Sequence, residues 1–287
     1  MKGAVAANAQ ALRIGVAQVA PELGGVSANA ARVKQIIDQR RGEVDLLLFP
    51  ELTLTGYAVG SRTPELALRA DAPVLCDLAE QARGLAVLVG FIEETDRFQF
   101  FNSLALLQGG RVQEVYRKVF LPTYGIFEEG KHFSASRRYR LLSIGGFRAA
   151  PLICADAWNP ALAHVAASLG ADLFLIAANS PQGGMGDRLS SREGWQRLAR
   201  FYASMYGVYV AFCNRVGQEG ELGFWGESEI IDPFGQPLAA AGGGGEEVVS
   251  AVCDRRLVRE ARTILHTIRD DDPAFIADQL RRVAEEG

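Results

Sequence analysis

Residues 45–50 read DLLLFP, and the reading of this stretch decides the fold class. Three leucines and a phenylalanine in a row show no apolar–polar alternation. A strand built from them therefore cannot keep one face in water, and it belongs in the middle of a sheet covered on both sides. Upstream, RIGVAQVA (13–20) reads as a strand and 27–40 as a helix, with Ser27 or Asn29 as its cap and Val33, Ile36 and Ile37 on its inner face. Downstream, a helix at about 72–83 leads into the strand LAVLVGFIEE (85–94). The segment FQFFNSLALLQGGRVQEVYRK (98–118) holds two β-rich runs joined by Gly109–Gly110, a hairpin signal. A second pair is centred on Gly145–Gly146 and ends in FRAAPLIC (147–154).

The spacing then predicts a helix over 160–169, a strand DLFLIAAN (172–179), a long helix over 190–206 and a strand VYVAFCNR (208–215). Strands around 228–232, 236–241 and 246–253 follow, with turns at Asp232–Gly235 and Gly242–Gly245. A last helix starts near Arg255, and DDDPAF (270–275) begins a short C-terminal tail. Helices and hairpins alternate from end to end, which points to an α/β fold of two sheets packed face to face with helices outside both. There is no internal repeat and no Pro-, Ser- or Gly-rich linker. The expectation is one domain over 12–275, a disordered extension over 1–11 and a tail over 276–287.

With 287 residues, 48% of them hydrophobic, the chain is long for one core, but α/β folds of this size are often one domain, and one is expected. A net charge of −4 with no basic stripe argues against a nucleic-acid partner. The start, MKGAVAANAQALR, lacks the unbroken apolar region of a signal peptide, because Asn8, Gln10 and Arg13 interrupt it. No window approaches the roughly 20 apolar residues that span a bilayer, so a soluble, cytoplasmic protein without a membrane partner is expected. Cys76, Cys154, Cys213 and Cys253 are far apart, which suits a reducing compartment. His132, His164 and His266 are scattered as well, arguing against a zinc site and against a Ser–His–Asp triad.

Three residues stand where strands end. Glu51 follows the buried strand and Pro50, beside low-dielectric protein, a setting that suits a general base. Lys118 closes the hairpin strand of VYRKVFLPTYG, where an inward ammonium would face a developing oxyanion. Cys154 lies in PLICADAWNPAL, where a strand runs into a sharp turn before Asn159 and Pro160 start a helix. Taken singly, each also suits a bland role: a solvated glutamate, a surface lysine, a small buried thiol. Their order at three strand ends does not.

At this point the chain resembles the nitrilase, or carbon–nitrogen hydrolase, superfamily over residues 12 to 275. The resemblance is carried by FPELTLTGY (49–57), RKVFLPTYGIFEE (117–129), LICADAWNP (152–160), GADLFLIAANSP (170–181) and CNRVGQEGELGFWGESEIIDPFG (213–235). The lysine and cysteine motifs look most like the glutaminase domain of glutamine-dependent NAD synthetase. The resemblance implies an α-β-β-α four-layer sandwich, a Glu51–Lys118–Cys154 triad and a second glutamate at Glu129, with Glu128 the less favoured choice. It further implies a pocket walled by Tyr57, Tyr124, Phe127, Ala155, Asp156, Trp158, Asn179 and Ser180, and a homodimer formed through the helix at 190–206. No metal and no nucleotide cofactor are implied, since the synthetase half and its ATP loop are not in the sequence.

Two departures stand out. Ala155 replaces the acidic residue usual after the cysteine, and SAS (134–136) replaces a Pro-Gly. The expected activity is hydrolysis of a small linear carboxamide, glutamine among the candidates, through a thioester. N-carbamoyl hydrolysis and nitrile hydrolysis are the alternatives within the enzyme class. A non-catalytic binding protein, or an ammonia-supplying subunit, is the alternative outside it.

Overall fold

The computed structural model describes residues 10–183 and 189–286. Residues 1–9 of the expected extension lie outside the described residues, and Ala11 is already the first residue of a strand. One six-stranded sheet contains β1 (Ala11–Gln18), β2 (Leu46–Leu48), β3 (Ala86–Glu94), β4 (Phe100–Gln108) and β5 (Arg111–Arg117). The second contains β6 (Leu142–Ile144), β7 (Phe147–Ile153), β8 (Leu173–Ala178) and β9 (Tyr209–Asn214). A separate hairpin, β10 (Val216–Glu219) with β11 (Leu222–Trp225), precedes β12 (Glu229–Ile231) and β13 (Pro237–Ala240), which complete the second sheet. The chain then returns as β14 (Glu247–Asp254) to the edge of the first sheet beside β1. Strand order is 14-1-2-3-4-5 in one sheet and 13-12-9-8-7-6 in the other.

The two sheets pack through one apolar layer in which Ile14, Val16, Leu46, Leu48 and Leu88 meet Phe147, Leu175 and Cys213. On the opposite face of β2, Leu47 joins Val33, Ile36 and Ile37 of α1 (Val26–Arg40). Leu75 and Leu78 of a helix over Pro73–Gln81, placed after a single turn over Thr63–Leu66, lie in that same layer. Successive leucines of β2 thus serve two layers, as the two-residue period of a strand requires. The second sheet is covered by α4 (Ala155–Trp158), α5 (Pro160–Ser168) and α6 (Ser191–Tyr206), numbering the helix over Thr63–Leu66 as α2 and that over Pro73–Gln81 as α3. The fold is the four-layer α-β-β-α sandwich.

Local features refine the sequence reading. Neither Ser27 nor Asn29 caps α1; Gly25 occupies that position without a side-chain cap. Asn29 instead donates to the carbonyls of Glu22 (2.8 Å) and Leu54 (3.1 Å), anchoring the loop after β2. Past α7 (Arg255–Ile264), the expected C-terminal tail carries a further helix, α8 (Pro273–Glu286), that buries none of its residues. In α6, Trp195, Tyr202 and Tyr206 point into the core, whereas Phe201 stays half exposed. Among the described residues, no helix is long and apolar enough to cross a membrane.

Candidate active site

Parallel pairing places β2 beside β3 and β7 beside β8, so loops from both sheets converge at one end of the sandwich. Glu51 lies directly after β2 and Pro50 and is fully buried. The turn that carries it lies against Gly90 of β3, where an added Cβ would fall 2.3 Å from the Leu52 amide nitrogen and 2.8 Å from the Glu51 carbonyl carbon. Backbone cannot swing aside as a side chain can. Gly90→Ala is therefore expected to displace Glu51, lowering turnover about 10²-fold and costing about 1–3 kcal/mol by overpacking. Steady-state rates and urea unfolding would check both, and wild-type values for the variant would refute this account of the turn.

Lys118, one residue beyond β5, is also fully buried. Its backbone is fixed on both sides, the amide donating to the Asn102 carbonyl at 2.9 Å and the carbonyl accepting from Ser136 at 2.8 Å. The SAS segment thus holds the lysine strand. The ammonium donates to Glu51 Oε1 at 2.7 Å and to Glu129 Oε1 at 2.8 Å. Burial pulls the lysine pKa down, but the charges of Glu129 and Glu51 outweigh it and the net shift is upward, so the ammonium form persists.

Glu129 opens a 3₁₀ turn (Glu129–Lys131) and is buried, whereas Glu128 is exposed and paired with Lys131. Burial pushes the Glu129 carboxyl up to about 7, against the opposing pull of Lys118. The remaining contacts of Glu51 are Asn102 Nδ2 on Oε1 (2.7 Å) and the Asn179 amide on Oε2 (2.9 Å). Both its oxygens are therefore aimed.

Cys154 follows β7 with φ 45° and ψ −100°, a left-handed conformation that a non-glycine residue adopts only where its surroundings enforce it. Its amide donates to Ala177 at 2.9 Å. Burial raises the thiol pKa well above its ordinary value, and Glu51 adds to this, while Lys118 and the Asn179 amide oppose it. The resting group is a neutral thiol within the electrostatic reach of the carboxylate and the ammonium.

A cavity of about 20 Å³ beside the thiol is lined by Tyr124, Phe127, Ala155, Trp158 and Ser180, five of the expected wall residues, together with Pro122, Pro181 and Trp195. The other three are placed elsewhere. Asp156 is fully buried and accepts from Val119 (3.0 Å), Phe120 (2.9 Å), Ile153 (3.1 Å) and the Tyr116 hydroxyl (2.7 Å). It clamps the residues after Lys118 to the turn at Cys154, and burial raises its carboxyl to about 6. Tyr57 donates its hydroxyl to Glu129 Oε1 at 3.0 Å instead of facing the thiol cavity. Asn179 contributes its backbone amide, and its buried side chain finds no partner among the described residues.

Two groups escaped the sequence reading. Asn102 aims Glu51, and its signal was a polar Asn-Ser pair inside the apolar run FQFFNSLALL. Glu219 accepts from the amides of Tyr57 (3.1 Å) and Ala58 (2.8 Å) while buried against Arg215, fixing the turn that presents Tyr57. That pair has no local signature. Among the described residues, no group of three or more His, Cys, Asp or Glu is placed to hold a metal ion.

The sequence pattern of the carbon–nitrogen hydrolase family matches residues 13–263. This chain belongs to the carbon–nitrogen hydrolase family. It is 33% identical over 252 residues to a glutamine-dependent NAD(+) synthetase of Thermotoga maritima, a match covering 85% of this chain but only 42% of that protein. A carbon–nitrogen hydrolase from Helicobacter pylori G27 superposes with a TM-score of 0.83 at 21% identity, covering 94% of this chain and 98% of the other. An amidase from Nesterenkonia sp. AN1, solved with acrylamide added at its active-site cysteine, superposes at 0.75 with 25% identity, covering 89% and 98% of the two chains. Family members are hydrolases of carbon–nitrogen bonds.

Proposed function

We propose that this carbon–nitrogen hydrolase is an amidase that releases ammonia from a small carboxamide through a Cys154 thioester. The observation that carries this reading is a buried thiol on a positive-φ turn, within electrostatic reach of a buried carboxylate and a buried ammonium that are 2.7 Å apart. Glu51 takes the thiol proton as Sγ attacks the amide carbon, so no free thiolate accumulates in the low-dielectric site. Of the three N–H donors on the Lys118 ammonium, two are engaged by Glu51 and Glu129. The third is left for the oxyanion together with the Ala155 amide, each good donor contributing about 3 kcal/mol. Protonated Glu51 then returns its proton to the departing nitrogen, and ammonia leaves. A water deprotonated by the same carboxylate cleaves the thioester to the free acid. Glu129 and Tyr57 act as positioning residues for Lys118. The homodimer expected through α6 would cover Phe201.

An ammonia-release screen over primary amides, N-carbamoyl compounds and nitriles tests this reading; turnover of nitriles alone, or of carbamoyl compounds alone, would overturn it. Acid pH should protonate Glu129 and depress kcat/KM as pH falls through about 7. Tyr57 stabilises the Glu129 anion by donating to it. In Tyr57→Phe that limb should therefore move to higher pH by up to about one unit. A limb at the same pH in both proteins would rule out Glu129 as its source.

A further inference from the structure

The geometry points to an apolar acyl group as the part of the substrate that this site selects, an inference that rests on the amidase reading above. The thiol cavity has room for little more than one water-sized group, which suits the reacting carboxamide and nothing larger. It shares Pro122, Tyr124, Ala155 and Trp158 with a groove of about 880 Å³ that continues outward along residues 120–125 and the α4–α5 junction. The acyl chain of an amide bound at Sγ has that groove as its way out.

The groove is walled mainly by carbon. Phe120, Leu121, Pro122 and Trp158 line it, and at the junction with the thiol cavity stands the methyl of Ala155. Trp158 is a fixed wall: its ring lies edge-on to Trp195 at 5.2 Å, and a Cβ on Gly194 would fall 2.5 Å from it. Asn159 spends its side-chain oxygen on capping α5. Asp156, the nearest carboxylate in sequence, is turned inward with both oxygens engaged. The ammonium and carboxylate of an amino-acid amide would lose water here against carbon, with no side chain of either charge among the described lining residues. A methylene or aromatic chain instead gains from the same burial. A pre-formed wall adds selectivity, because little side-chain ordering opposes binding. The substrate class is the primary amide of a medium-length aliphatic or arylalkyl carboxylic acid.

The test measures kcat/KM for acetamide, butyramide, hexanamide, phenylacetamide and glutamine, and the affinity of each for Cys154→Ala. Full burial of a methylene is worth about fourfold, and a groove open on one side should yield about twofold. Hexanamide is then expected to exceed acetamide on the order of tenfold in both measurements, with glutamine no better than acetamide. In Ala161→Trp, which fills the groove from an exposed position on its wall, the hexanamide-to-acetamide ratio should fall towards one. Equal turnover of all the amides, or a tenfold preference for glutamine, would overturn the groove assignment and leave the amidase reading intact. Affinity that rises with chain length without ammonia release would do the reverse. Affinity that does not rise with chain length, with no ammonia released from any amide, would overturn both.

Discussion

Cys154→Ala should fold normally and release ammonia from amides at least on the order of 10⁴-fold more slowly than the wild type. Removal of the proposed nucleophile leaves no replacement among the described cysteines. Cys213 is buried between the sheets, its thiol pointing at the carbonyls of Ala17 (3.5 Å) and Leu48 (3.3 Å). Cys253 is buried within β14, and Cys76 is exposed on α3. The fold should tolerate the change, because alanine and cysteine meet the same backbone strain at φ 45° and only one buried sulfur is lost. Intact-mass measurement after brief exposure to substrate should show an added acyl group on the wild type and none on the variant. Acylation that survives the substitution would place the nucleophile elsewhere.

Lys118→Met should be less damaging to turnover and far more damaging to stability. It removes the proposed oxyanion donor, worth roughly 10²–10³ in rate. It also removes the one cation held between Glu51 and Glu129, both buried. Breaking a buried charge pair by deleting one partner typically costs about 3–5 kcal/mol. The deficit should depend on pH with a definite sign. Without the ammonium, the folded state holds the Glu129 carboxyl protonated to higher pH than the unfolded chain does. The unfolded chain therefore gains from ionisation first, and the variant loses stability as pH rises above the ordinary carboxylate range. Urea unfolding at pH 5 and pH 8 should show the larger deficit at pH 8. Equal deficits at the two values would mean that the lysine does not balance these carboxylates.

The candidate site was legible in sequence to the extent that it rests on strand ends. Glu51, Lys118 and Cys154 each follow a strand whose composition marks its limit: the apolar run closed by Pro50, the hairpin run after Gly109–Gly110, and the run ending at Ile153. Which side chains then face one another was not legible. Asp156 and Trp158 are two residues apart, yet Trp158 lines the thiol cavity and Asp156 points away from it. A polar side chain on a short helical turn goes where donors are unpaired, and those of Tyr116, Val119 and Phe120 come from β5 and the segment after it. Tyr57 reaches Glu129 for the same reason, held there by Glu219 from far along the chain.

The stretch DLLLFP determined by itself that β2 lies in a sheet buried on both faces, because three consecutive leucines cannot leave one face in water. Together with the alternating hairpins and helices around it, that settled the two-sheet sandwich. Only the tertiary structure decided that Leu47 faces the helices while Leu46 and Leu48 face the second sheet. It alone also decided that the glutamate after that strand meets Lys118, Asn102 and the Asn179 amide. Composition and period specify how deeply a residue is buried, but the choice of partner for a buried charge is made by whichever donors the other strands bring within about 3 Å.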